Sequence, residues 1–403
     1  MQTIKFYLAG VFGLLLFSCQ QSDVAPANNS AEIPSPSEQI GEVVWSYDIP
    51  SDFDNRVQPA IDGDWVYVAS DTSLTKVSLK DGQKEWNIDL GTGRSLASSK
   101  ILQDESTLYL NHSEWVRAYD KANGQMRWES PLDPLLSVSI PMKQQDGYLY
   151  LGRRGEVVRM AKSNGQVDLR IPLEQLLPEG VELQTAFDIE LVDGKLYVGT
   201  VIFPAADEPP TKNGRLLVFE LGSGQFQWGY EVPHFTQTDS TGATRSEDAG
   251  VYEIGINGKY LAAMTSKEVM VVDRNNGEEI WRVPFPNYKF LKTMAIGPRG
   301  NVIVGARSPY PSPMICLNIQ DGSILWETAL EASMLMPPAV EQSWIFLSSG
   351  SLQMINPSNG QVIWKGYPPE YRSDPYAIFL SPVASNQELL VCVGSKKVIA
   401  LRR

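Results

Sequence analysis

Few residues of this 403-residue chain are of the types that do chemistry, and their spacing keeps them apart. The two histidines, His112 and His234, lie far from each other and outside any metal-ligand motif, so surface or structural roles are expected for both. Cys316 and Cys392 sit in apolar, strand-like runs with no Cys-x-x-Cys nearby. They are expected as buried free thiols, because a disulfide would need their backbones to meet within bonding distance. Asp188 and Glu190 would share one face of a strand. That arrangement suits either a cation or acid–base pair, or an ordinary polar rim. A Gly-x-Ser-x-Gly elbow, a P-loop and a dinucleotide fingerprint are all missing from the sequence. The other carboxylates fall largely at turns, such as Asp81, Asp120, Asp273 and Asp321, where turn hydrogen bonding accounts for them. No catalytic residue, metal site or cofactor is expected.

The formal charge of −13 excludes another class of function. An acidic chain with dispersed Lys and Arg has no electrostatic means of holding a phosphate backbone, so no nucleic-acid partner is expected. At the N-terminus, Lys5 precedes the apolar run Phe6 to Phe17, which is short for a membrane span and reads as a secretion signal over residues 1–18. Leu16-Phe17-Ser18-Cys19 resembles a bacterial lipobox, although Phe17 is bulkier than usual there. The resemblance implies acylation of Cys19, with residues 19–40 as a flexible tether.

The elements that must position any site are announced by a repeat. Gly-x-x-x-Trp occurs at Gly41-Trp45, Gly82-Trp86, Gly124-Trp128, Gly224-Trp228, Gly277-Trp281, Gly322-Trp326 and Gly360-Trp364. An eighth copy opens at Gly165, with Leu169 in place of tryptophan. Seven of the ten tryptophans occupy this one position, a regularity that specifies repeated structural units. In the first unit Trp65 to Ala69 reads as a strand buried on both faces, and Leu74 to Leu79 as a second. Asp81-Gly82 reads as a hairpin turn, followed by a strand that alternates from Lys84 to Leu90.

The eighth unit lacks its own last strand. Glu388 to Gly394 and Lys397 to Leu401 supply inner strands, and the missing one is Gly41 to Tyr47 at the other end of the ring. The expected fold is therefore all-β: an eight-bladed β-propeller of four-stranded antiparallel blades over residues 41–403, its last blade closed by the N-terminal strand. Closure removes the open ends that a linear array would leave. The tryptophan is expected to pack on the neighbouring blade, with its N–H on a nearby acceptor.

The phrases Ala118-Tyr119-Asp120-Lys121-Ala122-Asn123-Gly124-Gln125-Met126-Arg127-Trp128 and Val271 to Trp281 resemble the tryptophan-docking repeat of the pyrroloquinoline-quinone-like propeller superfamily. Within it, lipobox, size and blade count are most similar to the BamB lipoproteins of the outer-membrane β-barrel assembly machinery. The quinone-dependent alcohol dehydrogenases of the superfamily carry adjacent cysteines and a calcium-binding carboxylate–amide set, whereas this chain has no Cys-Cys pair. The resemblance implies a non-enzymatic scaffold in the bacterial cell envelope, at the outer membrane. It would be held through its N-terminal lipid and bind envelope proteins, with the β-barrel assembly machinery as the expected partner. A carbohydrate- or small-ligand-binding lipoprotein is the alternative reading.

Function is sought where the repeat is interrupted. Phe203 to Gly214, Pro233 to Gly250, Arg307 to Pro313 and Tyr367 to Tyr376 lengthen the connections, mostly in blades four to six. Loops on a rigid ring are natural recognition surfaces. Phe203, Phe235, Arg245, Arg307 and Tyr310 are the candidate partner-binding residues.

Overall fold

The computed structural model describes residues 40–49, 57–70, 72–91, 100–112, 114–132, 141–173, 184–203, 213–238, 241–307, 311–330, 336–367, 379, 381–394 and 397–403. The side chains of Arg245 and Ser349 lie outside the described set. So do Cys19, Tyr310, the signal and the tether as far as residue 39.

Eight four-stranded antiparallel sheets follow one another along the chain, each in simple up-and-down order. Blade four shows the plan: Gln184–Val192, Lys195–Ile202, Asn213–Glu220 and Phe226–Glu231. First strands touch first strands around the ring, as Met142–Gln145 touches Gln184–Val192 and this touches Glu253–Asn257. They therefore line the centre. Ala60–Asp62 of blade one meets Ala384–Ser385 of blade eight, which closes the circle.

The closing strand is the expected one. Val43–Asp48 pairs antiparallel with Lys397–Arg402, Val43 opposite Leu401 and Tyr47 opposite Val398. Second and third strands are buried on both faces, whereas fourth strands alternate, as in Lys84–Asp89. The hydrophobic core is accordingly a series of seams between adjacent blades. One of them joins Trp45, Val391 and Ala400 of blade eight to Val66, Val68 and Val77 of blade one.

The repeat explains these seams. Its glycines turn with positive φ, between 71° and 81°, where a side chain would be strained. Each also serves as a seat for the preceding blade: a Cβ on Gly82 would come 2.9 Å from the Trp45 ring, and one on Gly322 2.8 Å from Trp281. The indole N–H then donates to the carbonyl three residues before that glycine. Trp45 reaches Leu79 at 2.7 Å, Trp128 reaches Lys162 at 2.8 Å, Trp281 reaches Ile319 at 2.8 Å and Trp326 reaches Pro357 at 3.0 Å. Where Leu169 replaces tryptophan, Ile171 and Leu169 cover Gly224 instead.

The fourth strand carries a further regularity. In all eight blades its pairing skips the residue just before the tryptophan position, so Glu85, Leu325 and their counterparts sit in β-bulges. A bulge on an outer strand spoils the ladder that another strand would need.

Candidate functional site

Strand order divides the connections between two faces of the ring. In blade four the turns Asp193-Gly194 and Leu221 to Gln225 close one end of the sheet. The step from Ile202 to Asn213 and the exit after Glu231 leave from the other end. The same holds in every blade, so all repeat glycines share one face. All four insertions arise from the opposite face, because each begins after a second or a fourth strand.

On that insertion face the candidates have distinct settings. Phe203 is 42% exposed and belongs to a group of rings, with Phe187 at 6.3 Å from it and Tyr252 edge-on to Phe187 at 5.4 Å. Arg307 is exposed, its guanidinium 5.5 Å from the Phe290 ring. Phe235 is half-buried, and its carbonyl accepts the Glu247 N–H at 2.8 Å. It borders a small additional hairpin, Thr236–Thr238 with Thr244–Ser246, which the repeat did not forecast. Phe203 and Phe235 share the fourth blade's surroundings, whereas Arg307 ends the second strand of blade six.

Both histidines have structural partners. His112 is fully buried, stacked on Trp115 at 5.1 Å, and its Nδ1 accepts the Glu114 N–H. His234 contacts the Glu247 carbonyl through Nδ1 at 2.9 Å and the Asn213 amide through Nε2, tying the extra hairpin to the start of a blade strand. Cys316 and Cys392 are buried and free; burial pushes the Cys316 thiol up to about 12 and the Cys392 thiol up as well.

The first strands bring together charges that the sequence kept apart. Lys143 of blade three pairs with Glu190 of blade four at 2.6 Å. Asp188 accepts the Ile189 N–H at 2.9 Å and, across to blade five, the Ile254 N–H at 3.0 Å. Glu253 of blade five accepts the Met294 N–H of blade six and a 3.4 Å bond from Thr293 Oγ1. The acid–base or cation pair is thereby replaced by carboxylates that staple neighbouring blades. Burial raises Asp188 to about 6, with Lys143 opposing and Glu190 reinforcing the shift. Burial raises Glu253 to about 8, against its Met294 bond and with help from Asp188. Burial would lower Lys143, but Asp188 and Glu190 outweigh it and hold its pKa up. Among the described residues, no group of three His, Cys, Asp or Glu side chains is placed to hold a metal ion.

Sequence reasoning missed Lys143 and Glu253 because nothing local marks them. It also missed Arg215, 1% exposed, whose Nη2 lies 3.5 Å from Glu231. The available signal was only a charge within an otherwise apolar strand.

A closed ring of docking repeats, with Lys143, Glu190, Asp188 and Glu253 bridging neighbouring blades, defines a propeller. The family described as outer membrane protein assembly factor BamB matches residues 20–135, 112–285 and 265–403, and the chain belongs to it. Membership places the chain among envelope-protein-binding proteins of the bacterial envelope, in association with the outer membrane. An uncharacterized protein of Rickettsia conorii is 27% identical over 199 residues, or 45% of each chain, so the matched part spans under half of that relative. The crystal structure of BamB from Moraxella catarrhalis aligns with a TM-score of 0.61 at 15% identity, over 90% of this chain and 100% of that one. A quinohemoprotein alcohol dehydrogenase from Pseudomonas putida aligns with a TM-score of 0.66 at 13% identity, over 90% of this chain and 76% of that one. At such identities both likenesses show the fold alone.

Proposed function

We propose that this protein is tethered to the outer membrane by acylation of Cys19 and presents its insertion face to a component of the outer-membrane β-barrel assembly machinery. The observation that carries this reading is the departure of all four insertions from one face of the ring. The opposite face is occupied by short turns. Phe203 and Arg307 supply an exposed aromatic and an exposed guanidinium on the insertion side, both favoured in protein interfaces. Phe235, Arg245 and Tyr310 belong to the same proposed surface. None of the ten tryptophans is exposed, and the exposed rings among the described residues are Phe203 and Tyr367.

A photo-crosslinking residue at Phe203, compared with one at Asn275 on the opposite face, tests the surface. The expected result is a crosslink to a barrel-assembly protein from Phe203 alone. Equal products from both positions, or none from Phe203, would overturn the assignment. Mass spectrometry of the mature protein tests the anchor, and an unmodified Cys19 would refute it.

A further inference from the structure

The residue held in the outer-strand bulge differs between the two halves of the ring. It is Glu85, Arg127, Asp168 and Gln227 in blades one to four, but Ile280, Leu325, Ile363 and Val44 in blades five to eight. Ile324 and Val43 extend the aliphatic arc. Ile324 is 54% exposed, Leu325 49%, Val43 39% and Ile280 37%. They are four of the seven large apolar side chains exposed among the described residues, while Ile363 and Val44 between them are half-buried, and a concentration of aliphatic side chains on one side of the rim favours a partner there.

We propose that the rim of blades five to eight rests on the lipid surface into which the protein's own N-terminal acyl chain is inserted. The inference relies on the anchor reading given above. Three observations favour lipid over another protein. The tether joins the ring at Ile40-Gly41, the position in blade eight that corresponds to Asp321-Gly322 in blade six, so it arrives on the same arc and beside the same turns. The chain between Cys19 and Ile40 spans at most about 75 Å even fully extended, which confines the ring near the bilayer. The bulges deny a partner strand its ladder, while a lipid surface needs only apolar side chains. At −13 the protein gains nothing from anionic headgroups, so side-chain insertion has to make the contact.

Full-length acylated protein in phosphatidylethanolamine-rich vesicles containing brominated lipid provides the test. A polarity-sensitive dye is placed on Leu325→Cys or, four blades away, on Met126→Cys, which replaces a side chain 53% exposed. Cys316 and Cys392 are buried and do not compete for the label. The dye at 325 should be quenched about twofold more than the dye at 126, as expected for a shallow apolar contact. The excess seen from a dye on Val43→Cys should disappear when Ile324→Asp and Leu325→Asp are added. Equal quenching at 325 and 126 in protein that floats with the vesicles overturns the proposal while leaving the anchor intact. A sedimenting dimer with no quenching overturns it in favour of a second copy. Protein that fails to float removes the anchor, and this contact with it.

Discussion

Trp281 and Trp228 hold the same repeat position on adjacent blades and differ by one hydrogen bond. The Trp281 indole donates to the Ile319 carbonyl at 2.8 Å, whereas the buried Nε1 of Trp228 has no partner. Each ring covers the repeat glycine of the next blade, Gly322 or Gly277. Phenylalanine at either position removes the same part of the indole, so the loss of packing is shared. At Trp281 the change also orphans the Ile319 carbonyl, which costs about 1 kcal/mol net. At Trp228 it deletes a buried donor whose unmade bond already costs about 1–3 kcal/mol. Trp281→Phe should therefore be more destabilising than Trp228→Phe by about 2 kcal/mol, read as the difference in urea midpoints at unchanged m-value. Equal midpoints would refute the claim that the indole N–H, and not the ring alone, helps lock the blades.

Stability should also fall as pH rises from about 4 to about 8. Asp188 and Glu253 bind their protons more tightly folded, near 6 and 8, than unfolded, so the unfolded chain releases them first. Within its window each group contributes a loss of up to about 1.4 kcal/mol per pH unit. Glu253→Gln should accordingly be more stable than the parent at pH 8 and nearly equal to it at pH 4; urea midpoints at the two pH values decide. Gly82→Ala should cost more than Gly63→Ala, since both have positive φ but only Gly82 has a neighbour, the Trp45 ring, in the way. Gly63→Ala alone should lose about 1–2 kcal/mol from backbone strain, and equal losses would show that the seat is unimportant. In native acylated protein a thiol reagent should titrate no cysteine, and in denaturant two, because Cys316 and Cys392 are buried with raised pKa values. A fast-reacting native thiol would contradict that burial.

The fold was legible because one glycine and one tryptophan per blade carry most of the information about blade-to-blade contact. Gly41-Trp45 identified the closing strand, and Leu169 marked the one seam built with aliphatic side chains instead. The bulge before each tryptophan was not legible, since it exists only once the register with the third strand is known. The central charges were hidden for a similar reason. First strands are short, two to nine residues, and the one carrying Asp188 has its own register shift after Ala186. Alternation therefore cannot say which way their side chains point. Lys143, Glu190 and Glu253 also come from three blades, and only the curvature of the ring brings them near one another. The insertions were legible as interruptions, but their common face followed from strand order.

The pairing of Val43–Asp48 with Lys397–Arg402 has a consequence for how the ring holds together. Val43–Asp48 precedes every other strand of the ring in the sequence, yet its partner is an inner strand of blade eight, after all the others. The bond from Trp45 to Leu79 and the cover that Trp364 places over Gly41 both depend on that pairing. A chain interrupted before Lys397 would keep nearly all of its sequence and still be an open arc with two unfinished ends. The pairing therefore carries two seams at once, one to blade one and one to blade seven, and losing either of its strands opens both.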